Sequence, residues 1–466
     1  TPLNSTELLV TVDDQKRANF DKQIPIDVKT DFETTINCNG NGLCFNYDVS
    51  SPMCPSYKHS NDRRFSPKGR AGLMREWLRL QNVDNTEQSR VTKKHTNILI
   101  KTRNTVGKWL GEFDFSHEVK ESMDECLACK ACTTACPIKV DVPTFRSKFV
   151  AQYHSIYLRP LSDYLVAHVE QLLPKLGRFP TIANMITHNP ISAWVTKHLV
   201  GYFDAPKFSV NLKSKVNKEH WYKKSAIAKL SDEQKAKTVF LVQDPFVSFY
   251  ESELVIDTIT ALKKLDFHLI ILPFKPNGKP EHVKGFLNKF KKTAHKATKF
   301  FNQIAKTNIP MIGLDASLVF AYRDEYKKAL GEDAVKFEVN VLSEWLCQQK
   351  LPEFNQANRG FDLLTHCTEK SLMADVSAQW QTIFKQLGLS INPISTGCCG
   401  MAGTFGHEKK NQQASKDIYQ LSWKPTLEKL AENTNETIAT GFSCRSQVKR
   451  FEGTKLRHPI QIIAHI

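Results

Sequence analysis

The chain has 466 residues, and its 41% hydrophobic and 24% charged residues are typical of an ordinary soluble globular protein. A chain of this length normally needs more than one hydrophobic core, so we expect about two to four domains. The sequence contains no run of about eighteen apolar residues, which excludes a transmembrane helix.

Lys and Arg outnumber Asp and Glu by 64 to 48, a formal net charge of +16. Such an excess suits nucleic acid, an anionic membrane surface, an acidic partner domain or acidic substrates. The lysines are scattered rather than grouped, which favours a solvated basic surface. The chain starts with TPLNSTELLV, without Met or a signal peptide, and this start suggests a piece of a longer protein.

The first half of the chain is predicted to be helical. Residues 1–30 are polar and are interpreted as a connector, and residues 31–160 are predicted to form one helical domain. Within that domain, SPKGRAGLMREWLRL (66–80) has the apolar spacing of a helix, with Ser66 as a candidate cap. Residues 161–236 combine helical spacing with scattered prolines and are interpreted as a packed helical linker.

The second half of the chain alternates short apolar runs with helical stretches. The runs TVFLV, FHLIILP and IPMIGLD lie between helices, and FDLLTHC, SINPISTG and TIATGFSC repeat the same order later. Such alternation is typical of parallel sheets. We therefore expect two α/β repeats, at 237–345 and 346–466, within an α+β multidomain chain.

A cysteine run, CLACKACTTACP, has the spacing C-x2-C-x2-C-x3-C-P. This is the spacing with which bacterial ferredoxins bind a [4Fe–4S] cluster. Zinc usually takes C-x2-C pairs separated by a longer gap, and reduced structural thiols are the other alternative. We predict a [4Fe–4S] cluster, whose candidate ligands in the run are Cys126, Cys129, Cys132 and Cys136.

A second cysteine group precedes the run, in CNGNGLCFNYDVSSPMCP. Cys38 and Cys44 have the separation of the first and third ligands of the run, and Asn41 stands at the second position. Cys54 precedes a proline, as the fourth ligand of a ferredoxin run does. Two-cluster ferredoxins exchange their fourth ligands. This exchange gives two ligand sets, which are Cys54, Cys126, Cys129 and Cys132 for one cluster, and Cys38, Cys44, Cys136 and Asn41 for the other.

The second of these sites has several possible contents. With three thiolates and an asparagine it suits a [3Fe–4S] cluster, a cluster with a non-cysteine ligand, or no cluster. The alternative grouping places all four ligands of a single cluster within the run itself. Lys130 and Lys139 adjoin the run, and they either favour the reduced cluster or are simply solvated, which is the commoner case.

Four more cysteines lie in the second α/β repeat, after predicted strands or in the glycine turn GCCG. The carboxyl ends of parallel strands meet at one rim, so these cysteines are expected to meet there. Buried thiols are the simpler alternative, but an adjacent pair in a glycine turn favours a metal or cluster site. The set is Cys367, Cys398, Cys399 and Cys444, with His366, His407 and His458 as further candidates. Asp244, KPNGKP and Asp315 stand at the matching positions of the first repeat, which is predicted only to scaffold.

The motifs CNGNGLC, MCPSY, SPKGRAGLMREWL, CLACKACTTACP, GCCGMAGTFG and GFSCRSQ together resemble a known family. They are similar to the C-terminal iron–sulfur half of fused bacterial FAD-linked oxidases of the D-2-hydroxyglutarate dehydrogenase type. That family is related to D-lactate dehydrogenase and to glycolate oxidase iron–sulfur subunits. Similar cysteine-rich CCG domains occur in anaerobic glycerol-3-phosphate dehydrogenase and heterodisulfide reductase.

The resemblance implies a helical ferredoxin-like iron–sulfur module followed by two α/β cysteine-rich, CCG-type repeats, the first of them degenerate. It implies that FAD, on a preceding domain or a partner chain, oxidises a 2-hydroxy acid such as D-2-hydroxyglutarate. The cluster would then pass the electrons to a quinone or an electron carrier. No catalytic residue is implied for this chain. The chain departs from the family where Gln447 replaces the second cysteine of a terminal C-x2-C.

The missing signal peptide and the clustered thiols predict a cytoplasmic protein, and peripheral contact with the inner membrane face and homo-oligomerisation stay open. A nucleic-acid partner is not expected, because aromatics do not interleave the basic residues. Two other functions remain as alternatives. One is a heterodisulfide-reductase-like protein with a catalytic metal at the CCG cysteines, and the other is a nucleic-acid enzyme with a structural cluster.

Overall fold

The structure is a computed structural model, and it describes residues 21–24, 29, 31–80, 96–354 and 359–466. The predicted connector at 1–30 lies outside the described residues, apart from the few just named. A helical part comes first, and two parallel sheets with their helices follow. Within the described ranges, none of the helices is both long and apolar enough to cross a membrane.

The helical part has an aromatic core between two long helices, Pro67–Leu80 and Val142–Ile156. Trp77 of the first packs edge-on against Phe149 of the second, with ring centroids 5.1 Å apart. The helices of this part are Glu33–Ile36, Pro55–Ser60, Pro67–Leu80, Ile98–Trp109, Phe115–Asp124, Ala131–Ala135, Val142–Ile156, Leu161–Leu176, Pro180–Thr187, Pro190–Val195, Leu212–Lys215, Lys224–Ile227 and Asp232–Ala236.

The helix predicted at 66–80 is confirmed, since the structure has a helix at Pro67–Leu80. The Gly69 N–H donates to the Ser66 hydroxyl at 2.9 Å, so Ser66 caps the helix as predicted. Gly69 also allows the close approach of a neighbouring turn, because a Cβ there would lie 1.9 Å from the Arg63 carbonyl oxygen.

The first sheet has four parallel strands, β1 Thr238–Leu241, β2 His268–Ile271, β3 Met311–Gly313 and β4 Asn340–Val341. Their order is β2-β1-β3-β4, so the chain crosses from one side of β1 to the other after β2. The helices of this unit are Pro245–Tyr250, Ser252–Lys264, Lys279–Val283, Leu287–Ala305, Ala316–Arg323, Glu325–Leu330 and Leu342–Leu346.

The second sheet has three parallel strands, β5 Gly360–Leu364, β6 Ser390–Ile394 and β7 Glu436–Ala439, in the order β6-β5-β7. In both sheets the first strand in sequence is central. The expected mixture of a helical part with parallel α/β structure is therefore confirmed. The helices of this unit are Cys367–Leu372, Val376–Gln386, Gln412–Leu430, Phe442–Glu452 and Pro459–Ala464.

The two sheets share one hydrophobic core, because helix Ser252–Lys264 of the first unit packs on helix Pro459–Ala464 of the second. The helical part packs against the second unit, where helix Ala131–Ala135 contacts helix Cys367–Leu372. This packing brings the predicted iron–sulfur run to the carboxyl edge of the second sheet.

Candidate iron–sulfur site

A buried arginine joins the two segments that carry the predicted ligands of the first cluster. Arg70 is 1% exposed, and its Nη1 donates to Cys54 Sγ at 3.6 Å. Its Nη2 donates to the Ser56 hydroxyl at 3.0 Å, and its Nε donates to the Ser122 carbonyl oxygen at 2.8 Å. Because Ser122 lies just before Cys126, this one guanidinium holds Cys54 beside the start of the run.

The thiols of Cys54, Cys126, Cys129 and Cys132 lie close enough to influence one another electrostatically. Burial raises the pKa of the Cys132 thiol, and the other three thiols raise it further. Burial opposes the charge of Arg70, but the thiols of Cys126, Cys54 and Cys132 outweigh burial and raise the pKa of Arg70. Iron must displace the thiol protons to bind, and a buried cation beside the thiols favours the anionic cluster that results.

Two residues of the run have an unusual backbone conformation. Ala128 and Lys130 have left-handed backbone conformations, with φ of 55° and 61°, between the cysteines of the run. Such conformations are strained in residues other than glycine and persist only where the surroundings hold them. The Lys130 side chain helps to stabilise this conformation, because its buried ammonium pairs with Asp324 and, at 3.1 Å, with Glu325. Lys130 is therefore not the solvated lysine that the sequence favoured.

The remaining N-terminal cysteines, Cys38, Cys44 and Cys136, line a neighbouring pocket that Cys132 also borders. Asn41 also lines this pocket, and its Oδ1 accepts from the Leu43 N–H at 3.1 Å. The predicted fourth donor of the second site thus stabilises its own turn in this structure. The structure brings Cys54, rather than Cys136, together with Arg70 beside the first ligand set.

The four cysteines of the second α/β unit meet at the carboxyl edge of its sheet. Cys367 begins the helix after β5, Cys398 and Cys399 follow β6, and Cys444 lies in the helix after β7. Each of these thiols lies close enough to its neighbours in that order to shift their pKa values, and all four are buried. Parallel pairing explains the meeting, because all three strands end at the same edge.

The GCCG turn requires glycine on both sides of its cysteine pair. Gly400 has φ of +81°, and a Cβ there would lie 2.3 Å from the Ser415 carbonyl oxygen. A Cβ on Gly397 would lie 2.3 Å from the Val49 carbonyl oxygen, which belongs to the loop between Cys44 and Cys54. The turn therefore packs tightly against the helical part as well as within its own unit.

The two thiol groups adjoin each other, which the sequence did not predict. Burial is the main cause that raises the pKa of the Cys129 thiol, and the nearby Cys367 thiol raises it further. Leu127 packs in one buried cluster with Cys367 and Cys398. Lys58 is 9% exposed and lies within electrostatic reach of Cys54, Cys129 and Cys398.

The histidine candidates differ in their surroundings. His366 lies beside the Cys367 thiol, whereas His407 Nδ1 bonds Asp204 at 2.7 Å and His458 Nδ1 accepts from the Ile460 N–H at 3.1 Å. In the described part of the chain, no three His, Cys, Asp or Glu side chains surround one point closely enough to hold a single metal ion. Thiolates that hold a cubane stand farther apart, because each binds a different iron.

Sequence reasoning missed Arg70 and Lys58 as components of the site. Arg70 lies in the motif SPKGRAGLMREWL and Lys58 in MCPSYK, both beside the predicted ligand Cys54. A basic residue next to a cysteine motif is usually solvated, so only burial distinguishes these two.

The site and fold define an iron–sulfur protein. Residues 34–140 match the family model of a 4Fe-4S dicluster domain, and this range contains every N-terminal cysteine from Cys38 to Cys136. The match supports an iron–sulfur cluster at this site, since the donor set of buried thiols and neighbouring cations suits one.

The chain is similar over nearly its whole length to curated oxidoreductases. It is 46% identical over 472 residues to D-2-hydroxyglutarate dehydrogenase of Escherichia coli (strain K12), covering 98% of this chain and 46% of that protein. It is 45% identical over 478 residues to the D-2-hydroxyglutarate dehydrogenase of Pantoea ananatis (strain AJ13355), covering 100% of this chain and 47% of that protein. The chain thus spans about half the length of the curated relatives it matches.

A more distant similarity covers part of the chain. One subunit of the anaerobic glycerol-3-phosphate dehydrogenase of Escherichia coli (strain K12) is 23% identical over 254 residues, which are 52% of this chain and 62% of that protein. These relatives are named for oxidation of a CH–OH donor, in agreement with the class of enzyme that the sequence predicts.

Proposed function

We propose that this chain is the electron-transfer part of an FAD-linked 2-hydroxy acid dehydrogenase whose substrate is D-2-hydroxyglutarate. The similarity to D-2-hydroxyglutarate dehydrogenases supports the substrate and the oxidoreductase class. The observation that supports the electron-transfer role is the gathering of Cys54 with Cys126, Cys129 and Cys132 around buried Arg70. FAD is supplied by a preceding domain or a partner chain, and a quinone or an electron carrier is the acceptor.

The residues of this chain have distinct roles in the proposed function. A [4Fe–4S] cluster, when bound, accepts and releases one electron at a time. Cys54, Cys126, Cys129 and Cys132 would hold it, and Arg70 would position Cys54 and supply positive charge. Lys130 ties the ligand loop to the first α/β unit through Asp324 and Glu325.

We propose a second cluster at the pocket lined by Cys38, Cys44 and Cys136. The description of the matched family as a dicluster domain supports two clusters in this region. The three cysteines supply three thiolates, which suits a [3Fe–4S] cluster, and Asn41 is left to stabilise its turn.

We also propose the division into a helical iron–sulfur domain at 31–160, a linker at 161–236 and CCG-type repeats at 237–345 and 346–466. The central position of the first strand in each sheet supports the two repeats. The grouping of the buried thiols of Cys367, Cys398, Cys399 and Cys444 supports a metal or cluster at the second repeat.

Low-temperature EPR of the anaerobically purified protein tests the ligand sets. Cys54→Ser is expected to abolish the signal of the reduced [4Fe–4S] cluster. Cys136→Ser is expected to retain that signal and to lose the oxidised [3Fe–4S] signal, because Cys136 belongs to the other set. Cys347→Ser, at a half-buried cysteine outside both sets, is the matched control. Loss of the reduced signal in Cys136→Ser, with retention in Cys54→Ser, would place all four ligands in the run.

The relay is tested in the protein that also carries the FAD. Addition of D-2-hydroxyglutarate is expected to produce the reduced-cluster EPR signal in the wild type. Cys129→Ser is expected to lose electron delivery to a quinone, while a dye that takes electrons directly from flavin is still reduced. If the double variant Cys398→Ser/Cys399→Ser stops dye reduction as well, the CCG site takes part in the chemistry, as in the heterodisulfide-reductase-like alternative.

A further inference from the structure

Oxygen donors occupy the carboxyl edge of the first sheet, where the second sheet has thiols. Asp244 follows the central strand β1, Asn277 lies in the loop after β2, and Asp315 follows β3. The residues at the corresponding edge of the second sheet are Cys367 after β5, Cys398 and Cys399 after β6, and Cys444 after β7.

Asp244, Asn277 and Asp315 line one small pocket, together with Gln243, Tyr322 and apolar side chains. The pocket lies where β2 pairs with one side of β1 and β3 with the other. This crossover point is where open parallel α/β sheets characteristically bind ligands. Asp244, Asn277 and Asp315 are 7%, 2% and 4% exposed, so the donors face the pocket rather than bulk water.

Asn277 has a buried acceptor that nothing in the described residues satisfies. Its Nδ2 donates to the Leu318 carbonyl oxygen at 3.2 Å, which fixes the orientation of the amide. Its Oδ1 is fully buried and has no hydrogen-bond partner among the described residues. A buried oxygen of this kind costs free energy unless a donor or a cation reaches it.

The two carboxyl groups are both buried and lie close enough to influence each other electrostatically. One oxygen of Asp244 accepts from the Phe246 and Val247 N–H groups, and one oxygen of Asp315 accepts from the N–H and the hydroxyl of Ser317. Arg445 and His366 act on Asp315 from the second unit.

Each of these two basic groups also has a partner outside the pocket. Arg445 is already paired with Glu251, with Nη2 and Oε2 2.5 Å apart, and Glu251 adds negative charge near Asp244. His366 lies beside the Cys367 thiol of the other edge. Two neighbouring buried carboxyls therefore need either a shared proton or a cation.

We propose that Asp244, Asp315 and Asn277 bind a divalent cation of the Mg²⁺ type. Carboxylate and amide oxygens are the ligands such cations prefer, and Mg²⁺ is commonly held by one or two carboxylates while it keeps several waters. The equivalent edges of the two sheets would then carry different metals, a hard cation at the oxygen donors and thiophilic iron at the cysteines. The inference is independent of the proposed electron transfer, because none of its three oxygen donors belongs to a proposed cluster ligand set.

Mn²⁺ binding to the anaerobically purified holoprotein tests this site. After passage over a chelating resin, the protein is titrated with Mn²⁺ and the free ion is followed by room-temperature EPR. The wild type is expected to bind one Mn²⁺ that Mg²⁺ displaces. Asp244→Asn and Asp315→Asn retain a helix-capping side chain and are expected to weaken binding at least about tenfold.

Asp232→Asn is the control, because the Asp232 side chain lies fully in solvent next to the same sheet. Asn277→Asp adds a third carboxylate and is expected to tighten Mn²⁺ binding by about threefold or more. Equal Mn²⁺ binding by the wild type and both Asp variants would overturn the site, as would no binding at millimolar Mn²⁺. In either case the carboxyl pair shares a proton instead.

Discussion

Cys129 of the ferredoxin-type run lies within electrostatic reach of Cys367, the first residue of the helix after β5. Helix Ala131–Ala135 of the helical part packs on the helix that Cys367 begins, and Leu127 lies in one buried cluster with Cys367. A change at Cys367 therefore alters the surroundings of the proposed cluster without altering its ligand set.

Cys367→Ser is expected to retain the iron and acid-labile sulfide of the first cluster but to shift its midpoint potential. The shift should be on the order of tens of millivolts, because polarity and hydrogen bonding near a cluster set its potential. An EPR-monitored redox titration measures it, with Cys347→Ser as the control. Loss of the cluster in Cys367→Ser would instead make Cys367 a ligand.

Arg70→Met removes the buried positive charge beside Cys54. We expect the midpoint potential of the cluster to fall by roughly 60 mV, equivalent to tenfold in a one-electron equilibrium, because the reduced cluster is more negative. Arg64→Met is the matched control, since the Arg64 side chain is 47% exposed. An unchanged potential, in a variant with full iron content, would show that Arg70 acts only as a structural link.

Glu325→Gln breaks the buried ion pairs between the ligand loop and the first α/β unit. We expect a loss of about 3 kcal/mol in the free energy of unfolding at neutral pH, because Lys130 and Lys279 lose a buried partner. Urea unfolding followed by circular dichroism measures the loss. Glu332→Gln, at an exposed position nearby, should change the unfolding free energy by less than about 0.5 kcal/mol.

The Glu325 carboxyl also predicts that the stability of the protein depends on pH. Burial alone would raise the pKa of Glu325, but Lys279 and Lys130 outweigh burial and hold it well below the usual 4.5. A depressed carboxyl pKa gives stability that is complete above the unfolded pKa and is lost as the pH falls below it. The urea midpoint of the wild type should therefore fall from pH 5 towards pH 3, and this slope should be shallower in Glu325→Gln. Identical slopes would contradict the assignment.

Gly400→Ala is expected to open the cysteine turn. The added Cβ meets the Ser415 carbonyl oxygen in a left-handed conformation, which should cost more than about 2 kcal/mol and make Cys398 and Cys399 react faster with a thiol reagent. Gly403→Ala is a close comparison, because Gly403 has φ of +62° but open space around its Cβ position. Equal thiol reactivity in the two variants would argue against tight packing of the turn.

The candidate site was predictable as far as it depends on local spacing. The run from Cys126 to Cys132 specifies its own turn, and the apolar alternation after residue 237 specifies parallel strands, because both signals lie within a few residues. The meeting of the four CCG-type cysteines followed from the strand order, since parallel strands end at one edge.

Asn41 and Lys130 show where local pattern was insufficient. The position of Asn41 suggested a cluster donor, but its Oδ1 accepts from the Leu43 N–H of its own turn. The pattern favoured a solvated Lys130, but packing of a distant helix buries it against Asp324 and Glu325. In each case, the spacing of the cysteines does not show which group the side chain contacts.

The sequence by itself determined the cysteine motifs, the helical and α/β regions, and the chemistry that thiolates at those spacings favour. Only the tertiary structure decided that Arg70 sits against Cys54, that Cys129 adjoins Cys367, and that Asp244 and Asp315 share a pocket. The physical reason is that motif spacing acts along a few residues of chain. Burial and electrostatic contact depend on how helices and strands far apart in sequence pack together.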